Sequence, residues 1–303
     1  MKSELNVKVE TGVRRLVGLV AVMLALGLIA AACSNEDETV SETVGEAAGP
    51  ESSQRIVSLS PTATEMLFAI GAGDQVVAVD LFSNYPAEAP EPTLDGFTPD
   101  LEAILSNNPD LVVSSFLAED IVAALTDGGA EVLILPAAAS LDDTYDQIGQ
   151  LGVATGAVDG AAETNAEIRA GVEEVLAGLP ESDPPVRVFH EIDDSFFTAS
   201  SNSFIGQVYE SMGFENIADP LDDGSGFPLV DGESIIAADP SLIVFTDQVE
   251  YSADDIAARP GWETTTAVSS GNVVQVNADL ASRWGPRIVE FMRVIAEIVS
   301  VDA

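Results

Sequence analysis

The sequence lacks most of the residues on which catalytic and metal centres are built. It contains one cysteine, Cys33, and one histidine, His190. A single thiol excludes a disulfide within the chain and a metal site made of several cysteines, and a single imidazole excludes the two-histidine metal motifs. The sequence also has no Gly-x-Ser-x-Gly elbow and no glycine-rich phosphate loop, so common hydrolase and nucleotide-binding signatures are missing. An enzyme built on a carboxylate pair stays open as a competing class, although no acid pair has a distinctive spacing.

Basic residues are scarce as well. Lysine and arginine together number 11, against 51 aspartates and glutamates, for a formal net charge of −40. Residues 1–32 hold four of the basic and two of the acidic residues, so the remainder carries 7 against 49, or −42, and all seven are arginines. Phosphate contacts need a basic surface, which excludes nucleic-acid binding. Solubility, a saline habitat or attraction of a cationic ligand would each account for the acidity.

The first 32 residues have the layout of an export signal. Basic residues precede an apolar run from Leu16 to Ala32, and small residues lead directly to Cys33. This order is typical of a signal peptide, and Ala30-Ala31-Ala32-Cys33 resembles a lipobox, whose cysteine receives a lipid. An uncleaved membrane anchor is the alternative, because the 17 apolar residues lie at the short limit of a membrane span. We expect a signal peptide over 1–32 and a lipoprotein, lipidated on Cys33, at the extracytoplasmic face of the cell membrane.

The rest of the chain divides into a tether and a folded body. Residues 33–54 are rich in Glu, Ser, Thr and Gly without an apolar pattern, which predicts a flexible acidic tether. Beyond them, short apolar runs alternate with amphipathic stretches, as in an α/β fold. Strands are predicted at 56–59, 76–79, 111–114 and 132–135, and again from 186. A long helix over 159–180 separates an N-terminal lobe, 55–158, from a C-terminal lobe, 181–303; its apolar side is expected at Ala162, Ala166, Val172, Val175 and Leu176.

The two halves of the body repeat one layout. Residues 101–113 and 232–244 each begin with a short predicted helix that has a glutamate in its first turn, Glu102 or Glu233. Each helix is followed by a proline seven residues after the glutamate and then by a strand of buried type. A single glutamate there would be explained by the helix dipole. A matched pair on two lobes instead indicates a two-point docking surface.

Several motifs in order resemble the solute-binding proteins of ABC importers for cobalamin and iron complexes. They run from about residue 55 to the C-terminus: Ser60-Pro61 to Glu65, Asn84-Tyr85-Pro86, Gly96-Phe97 leading into Leu101-Glu102, Asn108-Pro109-Asp110-Leu111-Val112, Phe204-Ile205 to Gly213 with Glu215-Asn216-Ile217, Pro260-Gly261-Trp262 and Gly285-Pro286-Arg287-Ile288. The resemblance implies an α/β protein of two Rossmann-like lobes joined by a single long rigid helix, with the ligand cleft between the lobes. It also implies a monomer without a cofactor, whose Glu102 and Glu233 dock on arginines of a permease dimer, with the permease and its ATPase as separate chains.

The resemblance also assigns cleft residues. Aromatic side chains that contact a corrinoid ring in the family match Phe82, Phe97, Phe197 and Phe227, and an Asp and an Arg match Asp279 and Arg283. Core packing is the alternative for each phenylalanine, and a surface pair four residues apart is the alternative for Asp279 and Arg283.

The cargo implied by the resemblance is a metal chelate, and cobalamin or a related corrinoid is the first expectation. Ferric siderophores are the rival, but anionic complexes need arginines or lysines in the cleft, and the body has no lysine. Haem is a third option, with His190 or Tyr85 as an iron ligand, although packing is the simpler role for a histidine that ends a strand. A surface enzyme or sensor lipoprotein is the alternative from another class.

Overall fold

The computed structural model of the protein describes residues 54–301, which form one compact unit. The predicted signal peptide, Cys33 and nearly all of the predicted tether lie outside the described residues. Within 54–301, no helix is both long and apolar enough to cross a membrane.

The N-terminal lobe is a parallel four-stranded sheet with helices between its strands. In spatial order the strands are β2, β1, β3 and β4. Their bounds are β1 Ile56–Leu59, β2 Val76–Val79, β3 Leu111–Ser114 and β4 Glu131–Ile134, and the helices are α1 Pro61–Ala69, α2 Leu101–Leu105, α3 Glu119–Asp127 and α4 Leu141–Thr155. The predicted strands are confirmed, with β4 displaced by one residue.

Helix α5, Val158–Gly178, leads to the second lobe, which repeats the same topology. Its strand order, β6, β5, β7 and β8, is that of the first sheet, and all pairs are parallel. The strands are β5 Arg187–Glu191, β6 Glu215–Asn216, β7 Leu242–Thr246 and β8 Val273–Val276, and the helices are α6 Phe204–Ser211, α7 Gly232–Ala238, α8 Ala253–Ala257, α9 Thr266–Ser270, α10 Ala278–Ser282 and α11 Ile288–Val301. The two-lobed α/β fold expected from the sequence is confirmed.

The start of α1 shows how the local sequence sets the fold. Ser60 has an extended backbone and its hydroxyl accepts from the amide of Ala63 at 3.4 Å, while Pro61 occupies the first helical position. Both residues are favoured there, because Ser caps a free amide and Pro has no amide to leave unpaired. The short helices α2 and α7 begin in matched fashion, each capped by an aspartate, Asp100 or Asp231.

The lobes share a hydrophobic core in addition to their connecting helix. One cluster joins residues of both sheets with α1, α4, α5 and α11, while two smaller clusters lie on the other face of each sheet. The expected apolar side of α5 was partly wrong: Ala162 and Ala166 are exposed, and the buried stripe is Ala161, Thr164, Ile168, Val172 and Val175. Alanine is compatible with either face, so the larger Ile168 and its neighbours decide the orientation.

Candidate functional site

The loops that follow the strands place the candidate residues at one edge of each sheet. In parallel sheets, ligands bind outside the carboxyl ends of the strands. Residues 80–82 follow β2, residues 136–139 follow β4, residue 192 follows β5 and residues 277–279 follow β8. Side chains from both lobes line a cavity of about 360 Å³ at these edges. Its wall includes the alanines 137–139 of the first lobe and Phe204, Phe227 and Trp284 of the second.

The first lobe contributes exposed phenylalanines to this edge. Phe82 is 53% and Phe97 is 82% exposed, and their rings meet edge to face with centroids 5.5 Å apart. The loop of Phe82 is held by Asp80, whose buried carboxylate accepts from the Phe82 amide at 3.2 Å; burial raises the pKa of Asp80. Gly96 packs so closely that a Cβ would lie 2.7 Å from Asp80 Oδ2. Only glycine therefore brings Phe97 to this position without displacing the loop.

The second lobe presents a stacked pair. Phe197 and Phe227 lie with centroids 6.2 Å apart, and Phe227 is 45% exposed. The loop before Phe227 is organised by Asp222, which accepts from the side chains of Ser200 at 2.6 Å and Asn202 at 2.7 Å. These hydrogen bonds, that from Ser200 first, lower the pKa of Asp222 to about 2. Phe227 is among the residues that line the cavity between the lobes, whereas Phe82, Phe97 and Phe197 are not. Phe197 reaches that wall through its stacking on Phe227, and Phe82 and Phe97 pair with each other on the first lobe. Contact of the four rings with a ligand stays a prediction.

A buried ion network joins the lobes beside this edge. Glu65 of α1 is 3% exposed and accepts from Arg283 Nη1 at 2.7 Å and from Arg287 Nη2 at 2.6 Å and Nε at 2.9 Å. The Arg287 guanidinium also lies 4.1 Å from the centre of the Tyr85 ring. The hydrogen bonds that Arg287 donates to the Glu65 carboxylate raise the pKa of Arg287. Since Glu65 belongs to the first lobe and both arginines to the second, this carboxylate ties the lobes together.

Asp279 and Arg283 take part in the same network. Arg283 is 6% exposed, and its Nη2 contacts the Phe82 carbonyl and Asp279 Oδ1, each at 2.8 Å. Asp279 also accepts from Asn84 Nδ2 at 2.8 Å. The pair is four residues apart, yet Arg283 is buried rather than on a helix surface. Its guanidinium is engaged by protein groups, so a direct ligand contact by Arg283 stays a prediction.

All the arginines between residues 54 and 301 are engaged within the protein. Six make ion pairs with carboxylates, and Arg55 donates to backbone carbonyls at residues 107 and 108. The pairs are Arg169–Asp142, Arg187–Asp239, Arg259–Glu191, Arg283–Glu65, Arg287–Glu65 and Arg293–Glu174. The described cleft therefore offers no uncommitted cation to an anionic ligand.

The two repeat glutamates occupy matching places. Glu102 lies in the first turn of α2 and Glu233 in that of α7, and both are exposed. Each helix precedes the third strand of its sheet, so each begins at the same edge as the cleft. An open recess of about 660 Å³, lined by Phe196 and Trp262, lies beside Glu233. Docking by these glutamates stays a prediction.

The two candidate iron ligands differ in their surroundings. His190 is 4% exposed, its Nδ1 lies 2.9 Å from Tyr209 Oη, and burial lowers its pKa to about 4. His190 nevertheless lines the cavity between the lobes. Tyr85 is 43% exposed, and Arg287 covers its ring.

Several residues at this edge escaped sequence reasoning. Phe116, 77% exposed, follows β3 as Phe82 follows β2, and this shared position after a strand is a signal that could have found it. Trp284 adjoins the Gly285-Pro286-Arg287 motif and donates to Gln147 at 2.9 Å. The roles of Glu65 and Arg287 had no local signal, because they depend on each other across 222 residues.

Comparison with known proteins agrees with this architecture. Residues 56–280 match the family model described as periplasmic binding protein. A cobalamin-binding protein of Halobacterium salinarum is 32% identical over 249 residues, covering 79% of this chain and 67% of that protein. The ABC transporter substrate-binding lipoprotein YvrC of Bacillus subtilis is 30% identical over 278 residues, covering 89% and 84%.

A solved structure is similar over the same region. It is that of a possible iron-binding (periplasmic solute-binding) protein from Staphylococcus epidermidis, with 26% identity and a TM-score of 0.70, covering 81% of this chain and 98% of that one. The fold, the length of the family match and the identities together establish that this chain is a member of the periplasmic binding protein family.

Proposed function

We propose that the protein captures a metal-chelate ligand, cobalamin or a related corrinoid, outside the cell and delivers it to the permease of an ABC importer. The observation that carries the proposal is the largely apolar cavity lined by both lobes, with Phe227 and Trp284 in its wall. The first lobe adds the exposed phenylalanines Phe82 and Phe97 on its loops. Broad apolar walls with few polar groups suit the faces of a large ring. The relative from Halobacterium salinarum, which is named as cobalamin-binding, supports the same choice.

Charge separates a corrinoid from an anionic ferric complex. The body from residue 33 onward has a net charge of −42, and its arginines within 54–301 are committed to protein partners. An anionic chelate would be repelled at long range and would find no free cation in the cleft. An iron chelate, including haem, is the second candidate, favoured by the similarity to the possible iron-binding protein of Staphylococcus epidermidis.

Thermal unfolding with a panel of ligands tests the cargo. The panel is cobalamin, cobinamide, haem and ferric siderophores. A true ligand at about 100 times its dissociation constant adds roughly 2.7 kcal/mol to the free energy of unfolding. We expect that stabilisation from a corrinoid; a response to a ferric siderophore alone would replace the first candidate with the second.

The aromatic walls can be tested with matched variants. Phe82→Ala and Phe227→Ala each remove an exposed ring at the cleft edge, so we expect weaker corrinoid binding and little change in stability. Val153→Ala removes an apolar side chain on α4 that is also exposed, at 74%, and serves as the control. Equal affinities for all three variants would contradict the proposed walls.

Glu102 and Glu233 are proposed to bind arginines of the permease dimer. Carboxylate–arginine pairs are charge-assisted and fix orientation, and the matched positions of the two glutamates suit a partner with two similar halves. The predicted lipid on Cys33 would keep the protein at the membrane beside that permease.

Transport by cells carrying the double variant tests the docking. Glu102→Ala with Glu233→Ala should abolish ligand uptake while leaving ligand binding to the isolated protein unchanged. Glu163→Ala with Glu167→Ala, two exposed acids on α5, is the control. Normal uptake with the first pair would show that docking does not use these residues.

A further inference from the structure

The imidazole of His190 interrupts the apolar wall of the interlobe cavity. The ring is 4% exposed at the end of β5, with Nδ1 2.9 Å from Tyr209 Oη. Nε2 makes no hydrogen bond with any residue that the structure describes. It is also not fully sealed from solvent. Because Tyr209 engages Nδ1 and His190 lines the cavity, we take Nε2 as the ring nitrogen that faces the cavity.

Most other polar side chains of this wall are already used by the protein. Asn202, Ser203 and Trp284 donate to acceptors within the chain at 2.7, 2.7 and 2.9 Å. The Thr246 hydroxyl, at the end of the neighbouring strand β7, makes no side-chain hydrogen bond within residues 54–301. A ligand that enters the cavity therefore meets His190 Nε2 as an unused polar atom. The Thr246 hydroxyl and the exposed Gln248 amide, which also makes no side-chain hydrogen bond within residues 54–301, lie in the same wall.

Tyr209 decides which nitrogen of the imidazole carries the proton. Its phenol is fully buried, and burial raises its pKa well above the ordinary value, so the hydroxyl stays protonated. Within the described residues, His190 Nδ1 is its hydrogen-bond partner. A proton on Nδ1 would leave the phenol proton buried without an acceptor, which is costly. The phenol therefore donates to Nδ1, and the imidazole proton lies on Nε2.

The ring is also uncharged under ordinary conditions. Burial lowers the pKa of His190 to about 4, so the ring holds a single proton near neutral pH. That proton is fixed by Tyr209, because the two nitrogens of a neutral imidazole have opposite hydrogen-bonding roles.

We propose that His190 is a fixed, neutral hydrogen-bond donor that presents Nε2–H to the interlobe cavity and recognises an oxygen acceptor of the ligand, such as an amide carbonyl. This rests on the proposed function, because it names the ligand group that the same cleft binds. It also separates recognition from metal ligation, which needs the lone pair of Nε2. Ligation would move the proton to Nδ1 and leave the Tyr209 hydroxyl without an acceptor.

The first test measures the tautomer directly, in protein without ligand. Because His190 is the only histidine, protein labelled with ¹⁵N-histidine has one pair of imidazole nitrogen signals. We expect Nε2 to be the protonated nitrogen and Nδ1 the unprotonated one at neutral pH. A proton on Nδ1 would overturn the proposal whatever the cargo is.

The second test is a titration with cobinamide of the natural protein, His190→Gln and His190→Asn. The amide nitrogen of glutamine can reach the place of Nε2, whereas that of asparagine is too short. We expect the asparagine variant to bind at least about fivefold more weakly and the glutamine variant to stay within about threefold of the natural protein. An equal loss in both would assign His190 a merely structural role and overturn the proposal.

The visible spectrum of the bound corrinoid supplies the remaining control. We expect the cobalt absorption bands to be the same in the natural protein and in His190→Asn, because no imidazole–cobalt bond forms. A band shift that the asparagine variant abolishes would overturn the donor role. Absence of binding by all three proteins would count against the proposed cargo alone, and the tautomer would still decide the proposal.

Discussion

Replacing Glu65 by glutamine tests whether the buried ion network holds the lobes together. The substitution keeps the size of the side chain but places an amide N–H₂ where one carboxylate oxygen accepts from an arginine. Arg287 donates to both oxygens, at 2.6 and 2.9 Å, and Arg283 donates to one. Whichever way the amide is oriented, a donor then faces a donor, and two positive charges lose their common counter-ion.

The magnitude follows from burial. Removing one partner of a buried ion pair costs about 3–5 kcal/mol. Arg283 keeps Asp279 and Arg287 keeps the Tyr85 ring, so we expect the lower end, about 3 kcal/mol of unfolding free energy.

Urea unfolding of Glu65→Gln and Glu174→Gln provides the measurement and its control. Glu174 pairs with Arg293 at 3.0 Å, but the side chains are 74% and 55% exposed, and such pairs contribute about 0–1 kcal/mol. The same chemical change is thereby compared in a buried and an exposed setting. A loss of less than about 1 kcal/mol in Glu65→Gln would refute the reasoning, because the network would then contribute no more than a surface pair.

Two further predictions concern stability. For His190, the pKa falls from an ordinary 6.5 in the unfolded chain to about 4 in the folded protein. The stability that the neutral buried ring contributes is therefore full above pH 6.5 and is lost as the pH falls towards 4. Between pH 7 and pH 5 this loss is about 2 kcal/mol of unfolding free energy, and His190→Gln should lack it. A stability difference between the two proteins that does not change with pH would disprove the lowered pKa of His190. For Gly160, a Cβ would lie 2.1 Å from the carbonyl oxygen of Ile70, so Gly160→Ala should lower the melting temperature, by overpacking of about 1–3 kcal/mol. Gly149→Ala, with nothing within 4 Å of its Cβ, should leave the melting temperature unchanged or raise it, and an equal fall in both would contradict this account.

Much of the fold could be predicted because its signals are local. The apolar runs at residues 56–59, 76–79 and 111–114 are strands at those positions, and Ser60 with Pro61 starts α1 as expected. Caps and buried strand runs depend on neighbours within a few residues, so a single sequence contains the information. The repeat around Glu102 and Glu233 was visible for the same reason, since each copy is one helix and one strand.

The buried face of α5 was harder to predict, because alanines lie on both its buried and its exposed side. Ala162 and Ala166 satisfy an apolar pattern but are exposed, whereas Ile168 and Val172 belong to the buried cluster that also includes residues of α11 and of both sheets. Alanine has little surface to bury, so its position in a pattern carries little energy.

The sequence by itself determined that this is an acidic two-lobed α/β protein with matched glutamates, because periodicity, caps and charge are local or additive properties. Only the tertiary structure decided which charged groups are available to a ligand. Glu65 and Arg283 are 218 residues apart along the chain and 2.7 Å apart in space, and His190 acquires its fixed proton from Tyr209, 19 residues away on α6. Burial and the choice of partner set the charge and the hydrogen-bonding role of such groups, and neither exists until the chain has folded.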